Sequence, residues 1–295
     1  MRSVAVVTPT IREECLATFW DAWKNLFKKH EVIFLEVHDG DRPYLKWGAE
    51  ITEPKDIMGK DSDLIFNKND GVRNLGFAYI SKYLPEVDTI ITLDDDTLPK
   101  DGQDPIQLHL DALNERFPLG WMSTASDYVR GMPYWNREQS ECVVSHGVWE
   151  GVMDWDAPTQ LVKGNRQLEF YKGVIPKGVC FPFCGMNIAF KRKMLPYMYY
   201  APMGYRVGMD RFADIWLGIH LRRICDDNDW SIATGYSTVR HERASNVWSN
   251  LKKESQGLEL NEHYFEGVED DPYFKIYNDC RKRWEAWIKE NDSSL

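Results

Sequence analysis

Apolar positions in the first hundred residues follow two periods in turn. Val4 to Val7 is a short continuous apolar run, as a strand buried on both faces requires, and it ends in Thr8, Pro9 and Thr10. Leu16, Phe19, Trp20, Trp23, Leu26 and Phe27 then recur at three- and four-residue steps, on one face of a helix. Glu31 to Val37 reads as a second strand, closed by His38-Asp39-Gly40-Asp41. Asn67 to Tyr83 reads as a loop and helix, and Thr89-Ile90-Ile91-Thr92-Leu93 as a third strand. Strand, helix, strand, helix, strand, with acids at the strand ends, predicts a doubly wound α/β half over residues 1–100.

Beyond Asp101 the pattern loosens. Asp104 to Phe117 has helical character, and Asp210 to Asp226 returns to it through Phe212, Ile215, Trp216, Ile219 and Ile224. Between them, Trp121 to Gly185 is rich in Gly, Pro, Trp and Tyr and reads as short strands and loops over a cleft. A late strand, Ser237 to Val239, precedes His241. Residues 101–256 are expected to form an elaborated second half, and residues 257–295 a helical extension. In that extension Tyr273, Tyr277, Cys280, Trp284 and Trp287 form an apolar stripe, expected to pack within the chain, with a homo-oligomer contact as the alternative. With no repeat and no low-complexity linker, one domain is the economical reading of 295 residues.

Composition narrows the class. Charged residues at 28% and aromatics at 13% belong to a folded chain. A net charge of -10 argues against nucleic acid and anionic membrane as partners. The apolar run at the start is too short for a signal peptide, Pro9 stops it, and no stretch is long enough to span a bilayer. Six scattered cysteines are expected reduced, and the cytoplasm is the expected compartment.

The chemistry begins at Asp94-Asp95-Asp96, directly after the third strand. In open α/β sheets ligands bind beyond the carboxyl ends of strands. Three adjacent carboxylates there repel unless a cation or donors compensate. A hard divalent ion with oxygen ligands does so and keeps positions open for phosphate oxygens, the Asp-x-Asp logic of nucleotide-sugar enzymes. Asp39 is placed to accept from a base or ribose, or to shape a turn. Asp70 can cap a helix, and Arg73 beside it, with Asn74 and Gly76, can face a diphosphate or sugar. His241 can complete a metal site, and Asp214 can hold sugar hydroxyls or act as a base. Arg130 and Arg137, among aromatics and Gly/Pro turns, suit a cleft for a polar ligand.

Several longer blocks resemble one family, the reversibly glycosylated polypeptides or UDP-arabinopyranose mutases. They are Ser145-His146-Gly147-Val148-Trp149, Asp154 to Lys163, Ile175-Pro176-Lys177-Gly178, Phe181 to Phe190, Asp214-Ile215-Trp216, Ala244-Ser245-Asn246 and Asn250 to Glu254. The resemblance runs from about Val32 to about Gln256. It implies a GT-A-type fold, a divalent cation (manganese, with magnesium as the alternative) and a UDP-sugar. It also implies interconversion of UDP-arabinopyranose and UDP-arabinofuranose with reversible glycosylation of the protein itself. A metal-dependent transferase acting on a separate acceptor would need the same donor site.

By the same resemblance the family's acid triplet falls on Asp94, Asp95 and Asp96, its glycosylated arginine on Arg130 and a second arginine needed for activity on Arg137. With the late-strand His241 the triplet is the expected metal set, and Asp214 is a further expected catalytic position. Thr8, Pro9, Thr10, Asp39, Asp70, Arg73, His146, Asp156 and Asn187 are the expected substrate-binding positions. The chain departs from the family at Ala213-Asp214, where paired acids are usual, at Thr97, where a Cys usually follows the triplet, and at Met132 in Arg130-Gly131-Met132-Pro133.

Overall fold

A computed structural model of the chain describes residues 3–39, 48–51, 53–118, 130–135, 137–164, 166–204, 206–242 and 245–295. Gly40, Asp41, Trp121 to Val129, Asn136 and Ala244 lie outside the described residues. The first half runs β1 (Ser3–Thr10), α1 (Glu13–Lys29), β2 (Ile33–His38), β3 (Ala49–Ile51), α2 (Pro54–Met58), α3 (Arg73–Tyr83) and β4 (Val87–Leu93). Then come β5 (Thr97–Pro99), α4 (Pro105–Asn114), β6 (Arg116–Pro118), β7 (Gln139–Gly151), α5 (Ala157–Lys163), β8 (Gly173–Val174) and β9 (Asn187–Lys191). The chain closes with α6 (Ala213–Asp227), β10 (Ser231–His241), α7 (Val247–Glu254), α8 (Leu258–Glu266) and α9 (Pro272–Asn291).

The strand pattern dictates a two-faced sheet. Ala5 and Val7 of β1 join Leu35, Val37 and Leu75 in one core, while Val4 and Val6 join Leu16, Phe19 and Trp23 of α1 in the other. Helices therefore cover both faces, as the doubly wound pattern predicts. Gly76 lets α3 lie close to the sheet: a Cβ there would stand 2.5 Å from Val7 Cγ1 and 2.9 Å from Val37 Cγ2. β3, β2, β1 and β4 pair in parallel. Beyond β4 the sheet is mixed, in the order β9, β7, β10, β5, with β6 and β8 pairing at the side.

This order imposes a constraint. β4 and β5 are four positions apart in the sheet, yet only Asp94, Asp95 and Asp96 join them in the chain. Four strand spacings in a flat sheet would cover about 19 Å. The link from Leu93 to Thr97 reaches at most about 14 Å. The sheet must therefore curl, and it brings the end of β10 back to the end of β4. Thr97 pairs with His241 in consequence.

Three expectations are corrected. The segment expected as short strands and loops contains β7, a thirteen-residue strand bonded to β9, β10 and β6. Its polar look arises because Ser145 and His146 are buried with partners inside, and because a Cβ on Gly147 would collide with the Asn187 amide. The helix expected to Phe117 ends at Asn114, with Phe117 in β6. The late strand is longer than Ser237 to Val239 and begins at Ser231.

The stripe of α9 packs within the chain. Tyr273, Tyr277, Trp284 and Trp287 are buried in the main core, Trp284 lies 5.5 Å from the Tyr199 ring, and its Nε1 donates to the Leu195 carbonyl at 2.9 Å. At the helix end, Arg192 donates to Asp292 at 2.9 Å and to the carbonyls of Leu84 and Val87 at 2.7 and 2.9 Å. Trp284→Ala is expected to lower unfolding free energy by about 3–5 kcal/mol. Urea titration checks this. Light scattering on the folded variant should show an unchanged mass, because the stripe is core.

Candidate active site

The acid triplet sits at the wall of a cavity of about 1250 Å³, at the carboxyl ends of β1, β2 and β4. Two arginines and a threonine hold its carboxylates. Asp95 is buried; its Oδ2 accepts from Thr10 Oγ1 at 2.6 Å and from Arg12 Nε at 3.2 Å, and its Oδ1 accepts from Arg12 Nη2. Arg12 Nη2 also donates to Asp96 Oδ2 at 3.0 Å. Arg73 is buried and donates to Asp94 Oδ1 at 2.8 Å, to Thr92 Oγ1 at 2.9 Å and to the Gly185 carbonyl at 2.9 Å. Burial raises the Asp95 carboxyl above its ordinary value, against the opposing pull of Arg12 and Thr10.

His241 stands beside Asp96, with Nε2 3.9 Å from Oδ1. Its Nδ1 donates to the Val152 carbonyl at 2.8 Å, which orients the ring with Nε2 facing Asp96. A metal-binding histidine is held by its other ring nitrogen in this way. Among the described residues no group of three His, Cys, Asp or Glu side chains forms a ready metal cage. Asp94 Oδ1 is turned to Arg73, both Asp95 oxygens to Arg12 and Thr10, and Asp96 Oδ2 to Arg12, which leaves Asp96 Oδ1 facing His241. What fits a cation is the pair Asp96 and His241, with ligand oxygens completing the shell, as in sites where one or two protein groups share the ion with phosphates.

The opposite wall is acidic and partly protonated. Asp214 accepts from the Gly185 N–H at 2.6 Å and the Ile215 N–H at 2.9 Å. Burial, with Asp70 and Asp154 nearby, pushes its carboxyl up to about 8. The Cys184 thiol donates to Asp154 Oδ2 at 3.2 Å. The Cys184 N–H donates to His146 Nε2 at 3.2 Å, and the other ring nitrogen lies 3.0 Å from Thr234 Oγ1. Burial drives His146 down to about 3, so it is neutral and fixes the loop carrying Cys184.

Pro9, Thr10, Asp39, Asp70, Arg73, Asp94, Asp95, Asp96, His146, Asp156, Asp214 and His241 all line this cavity. Asp39 accepts from the Lys68 N–H at 2.5 Å, and Asp156 caps α5 through the Thr159 N–H at 2.9 Å. Thr8 and Asn187 do not line it: both are buried, and Asn187 Oδ1 meets His109 Nε2 at 2.7 Å beneath the floor. Arg130 is exposed and outside the lining. Arg137 is also outside it, stacked 3.9 Å over the Tyr134 ring.

Spacing alone did not reveal Arg12, Asp154, Cys184, Arg211 or Glu254, all of which line the cavity. Arg12 carried one signal. It occupies the N-cap of α1, where a cation opposes the helix dipole and so needs another reason to be there.

The model of the family described as reversibly glycosylated polypeptide matches residues 1–291. The chain belongs to the reversibly glycosylated polypeptide family. The match takes in β1 and α9, which the sequence blocks left outside the resemblance. Among its relatives, UDP-arabinopyranose mutase 3 of Arabidopsis thaliana is 34% identical over 279 aligned positions, covering 86% of this chain and 74% of its own. UDP-arabinopyranose mutase 1 of Oryza sativa subsp. japonica is 30% identical, covering 98% and 91%. Among solved structures, a mycobacterial protein superposes with a TM-score of 0.54 at 11% identity, covering 92% of this chain and 76% of its own. Mannosyl-3-phosphoglycerate synthase from Rubrobacter xylanophilus gives 0.52 at 12%, covering 92% and 77%. The family member described here thus has a GT-A-type fold. No helix among the described residues is long and apolar enough to cross a membrane.

The raised Asp214 carboxyl has a pH consequence. An unfolded Asp loses its proton near 4, whereas folded Asp214 keeps it to about 8. Between those values the folded state binds more protons, so this group's contribution to stability falls as pH rises. Asp214→Asn removes that slope. Denaturant titrations from about pH 5 to about pH 7.5 should move the stability difference in the variant's favour, by at most about 1.4 kcal/mol per pH unit. A pH-independent difference would show that Asp214 titrates normally.

Proposed function

We propose that this chain interconverts UDP-arabinopyranose and UDP-arabinofuranose, with reversible glycosylation of its own arginine. The observation that carries the proposal is the compensated acid triplet at the strand ends of a large cavity, in a chain that spans most of the length of relatives named as mutases. Asp96 and His241 would hold a divalent cation, manganese or magnesium. Such an ion supplies a Lewis acid for the charge that develops on a departing diphosphate.

The chain's own groups divide the remaining work. Pro9, Thr10 and Asp39 line the end of the cavity formed by β1 and β2, and would receive the uridine. Arg73 keeps Asp94 in place, and Arg12 keeps Asp95 and Asp96 in place. Ring contraction breaks the anomeric C–O bond to diphosphate, and one ring oxygen must gain a proton as another hydroxyl loses one. Asp214, protonated up to about 8, is suited to exchange that proton at neutral pH. Arg130 would hold the freed anomeric carbon. In a covalent version the C–O bond to diphosphate breaks, a C–N bond forms, and the guanidinium gives up a proton as UDP leaves. A guanidinium is a poor nucleophile while protonated. Because Arg130 is exposed and outside the cavity lining, its segment must approach the sugar for this to occur.

UDP-arabinopyranose incubated with the protein and manganese, with no acceptor present, is expected to yield the furanose form on chromatography. Arg130→Lys keeps the charge and loses the planar fork. It should abolish sugar labelling and ring contraction while UDP affinity is retained. Peptide mass spectrometry should place the adduct on the peptide carrying Arg130. Unchanged contraction in Arg130→Lys, or an adduct elsewhere, would remove Arg130 from the reaction and favour transfer to a separate acceptor.

A further inference from the structure

We propose that Arg211, braced by Glu254 and Asp154, forms the sugar-binding end of the cavity and decides how the sugar of a nucleotide-sugar is seated. The proposal rests on the nucleotide-sugar reading above.

The backbone gives the first indication. Arg211 has φ 76°, in the left-handed region that side chains other than Gly, Asn and Asp rarely adopt. Glu31 and Asp229 share this conformation, but both follow helix ends, where it is ordinary. Arg211 and Lys68 precede helical turns and line the cavity. Outliers held against their preference gather at ligand sites.

The side chain is held from several sides. Arg211 Nε donates to Glu254 Oε1 at 2.6 Å, and Glu254 is buried with its other oxygen accepting from the Ala157 N–H at 2.7 Å. Arg211 Nη2 lies 3.5 Å from Asp154 Oδ1. The Arg211 N–H donates to Asp210 Oδ1 at 2.9 Å, and the Asp210 N–H to the Lys253 carbonyl at 3.2 Å. Three segments, at the start of α5, before α6 and at the end of α7, therefore fix one guanidinium at the cavity wall.

The chemistry of that wall selects the ligand. Asp70, Asp154 and Asp210 place acceptors around the planar Arg211, with the Lys253 ammonium 3.4 Å from Asp210 and the protonated Asp214 on the same wall. Phosphate without a cation would meet repulsion there, since Glu254 and Asp154 match the charge of Arg211, Asp210 matches that of Lys253, and no Asp–His pair comparable to Asp96 and His241 stands at this end among the described residues. A ring carrying several hydroxyls, each able to donate and accept, fits the alternation. The diphosphate belongs at the other wall, with Arg12, Arg73 and the triplet.

The test is calorimetric titration of UDP and of UDP-arabinopyranose, each with manganese, into the wild-type chain and Arg211→Lys. Lysine keeps the charge and one donor to Glu254 but loses the fork. UDP affinity should be unchanged, while UDP-arabinopyranose affinity falls about tenfold, the equivalent of one charge-assisted hydrogen bond. Arg211→Gly, which relieves the left-handed backbone, and Arg211→Gly with Glu254→Gln, which removes the orphaned charge, should give the same split if the lysine variant fails to fold. Wild-type affinity for UDP-arabinopyranose in these variants, or equal loss for both ligands, would overturn the proposal. A wild-type chain that binds neither ligand would instead overturn the nucleotide-sugar reading, and with it this one.

Discussion

Three carboxylates in succession at the end of a buried strand repel one another, and much of the site's architecture follows from how the chain resolves that repulsion. Arg12, from the junction of β1 and α1, takes both oxygens of Asp95 and reaches Asp96. Arg73, from the first turn of α3, takes Asp94 from the other side. One helix from each face of the sheet therefore delivers one arginine to the triplet. The same three residues join β4 to β5 across a distance that only a curled sheet allows, and the curl carries His241 to Asp96. Electrostatics and topology thus place the same groups for one purpose. The residues that must be compensated are also the link that shapes the sheet.

The cavity is divided by charge. On the triplet side each carboxylate has an arginine partner, and Asp96 keeps Oδ1 facing His241. On the far side acids gather around Arg211, and burial keeps at least Asp214 protonated near neutrality. The end proposed for a diphosphate and its cation thus faces the end proposed for hydroxyls and proton exchange. Arg73 spans the two: it donates to Asp94 and to the Gly185 carbonyl, while the Gly185 N–H donates to Asp214. The two ends are connected through one residue, Gly185, by its carbonyl on one side and its N–H on the other.

The parts of this site that a sequence reveals are those with local patterns. The β4 run and its acids, the amphipathic face of α1, and the stripe of α9 are periodic, and their burial follows from that period. β7 was hidden because its interior polar residues find partners far away in the chain: Ser145 meets His109, and His146 meets Thr234. Arg12 was hidden for a similar reason, since its partners are more than eighty residues away. Glu254 and Arg211 look like ordinary surface charges until α7 folds back over the start of α5. Asn187, set in a block that resembles the family, is a core residue and not a cavity residue. A motif marks neighbours in sequence, and the fold decides which of them face a ligand.

The triplet and His241 are proposed to form the diphosphate end of a nucleotide-sugar site through one cation held by Asp96. Calorimetric titration of UDP with manganese and with chelator, on the wild-type chain and on Asp96→Asn, tests it most directly. Wild-type affinity should depend on the metal, and Asp96→Asn should remove this dependence while keeping the fold. Equal UDP affinity with and without metal in the wild-type chain would contradict it.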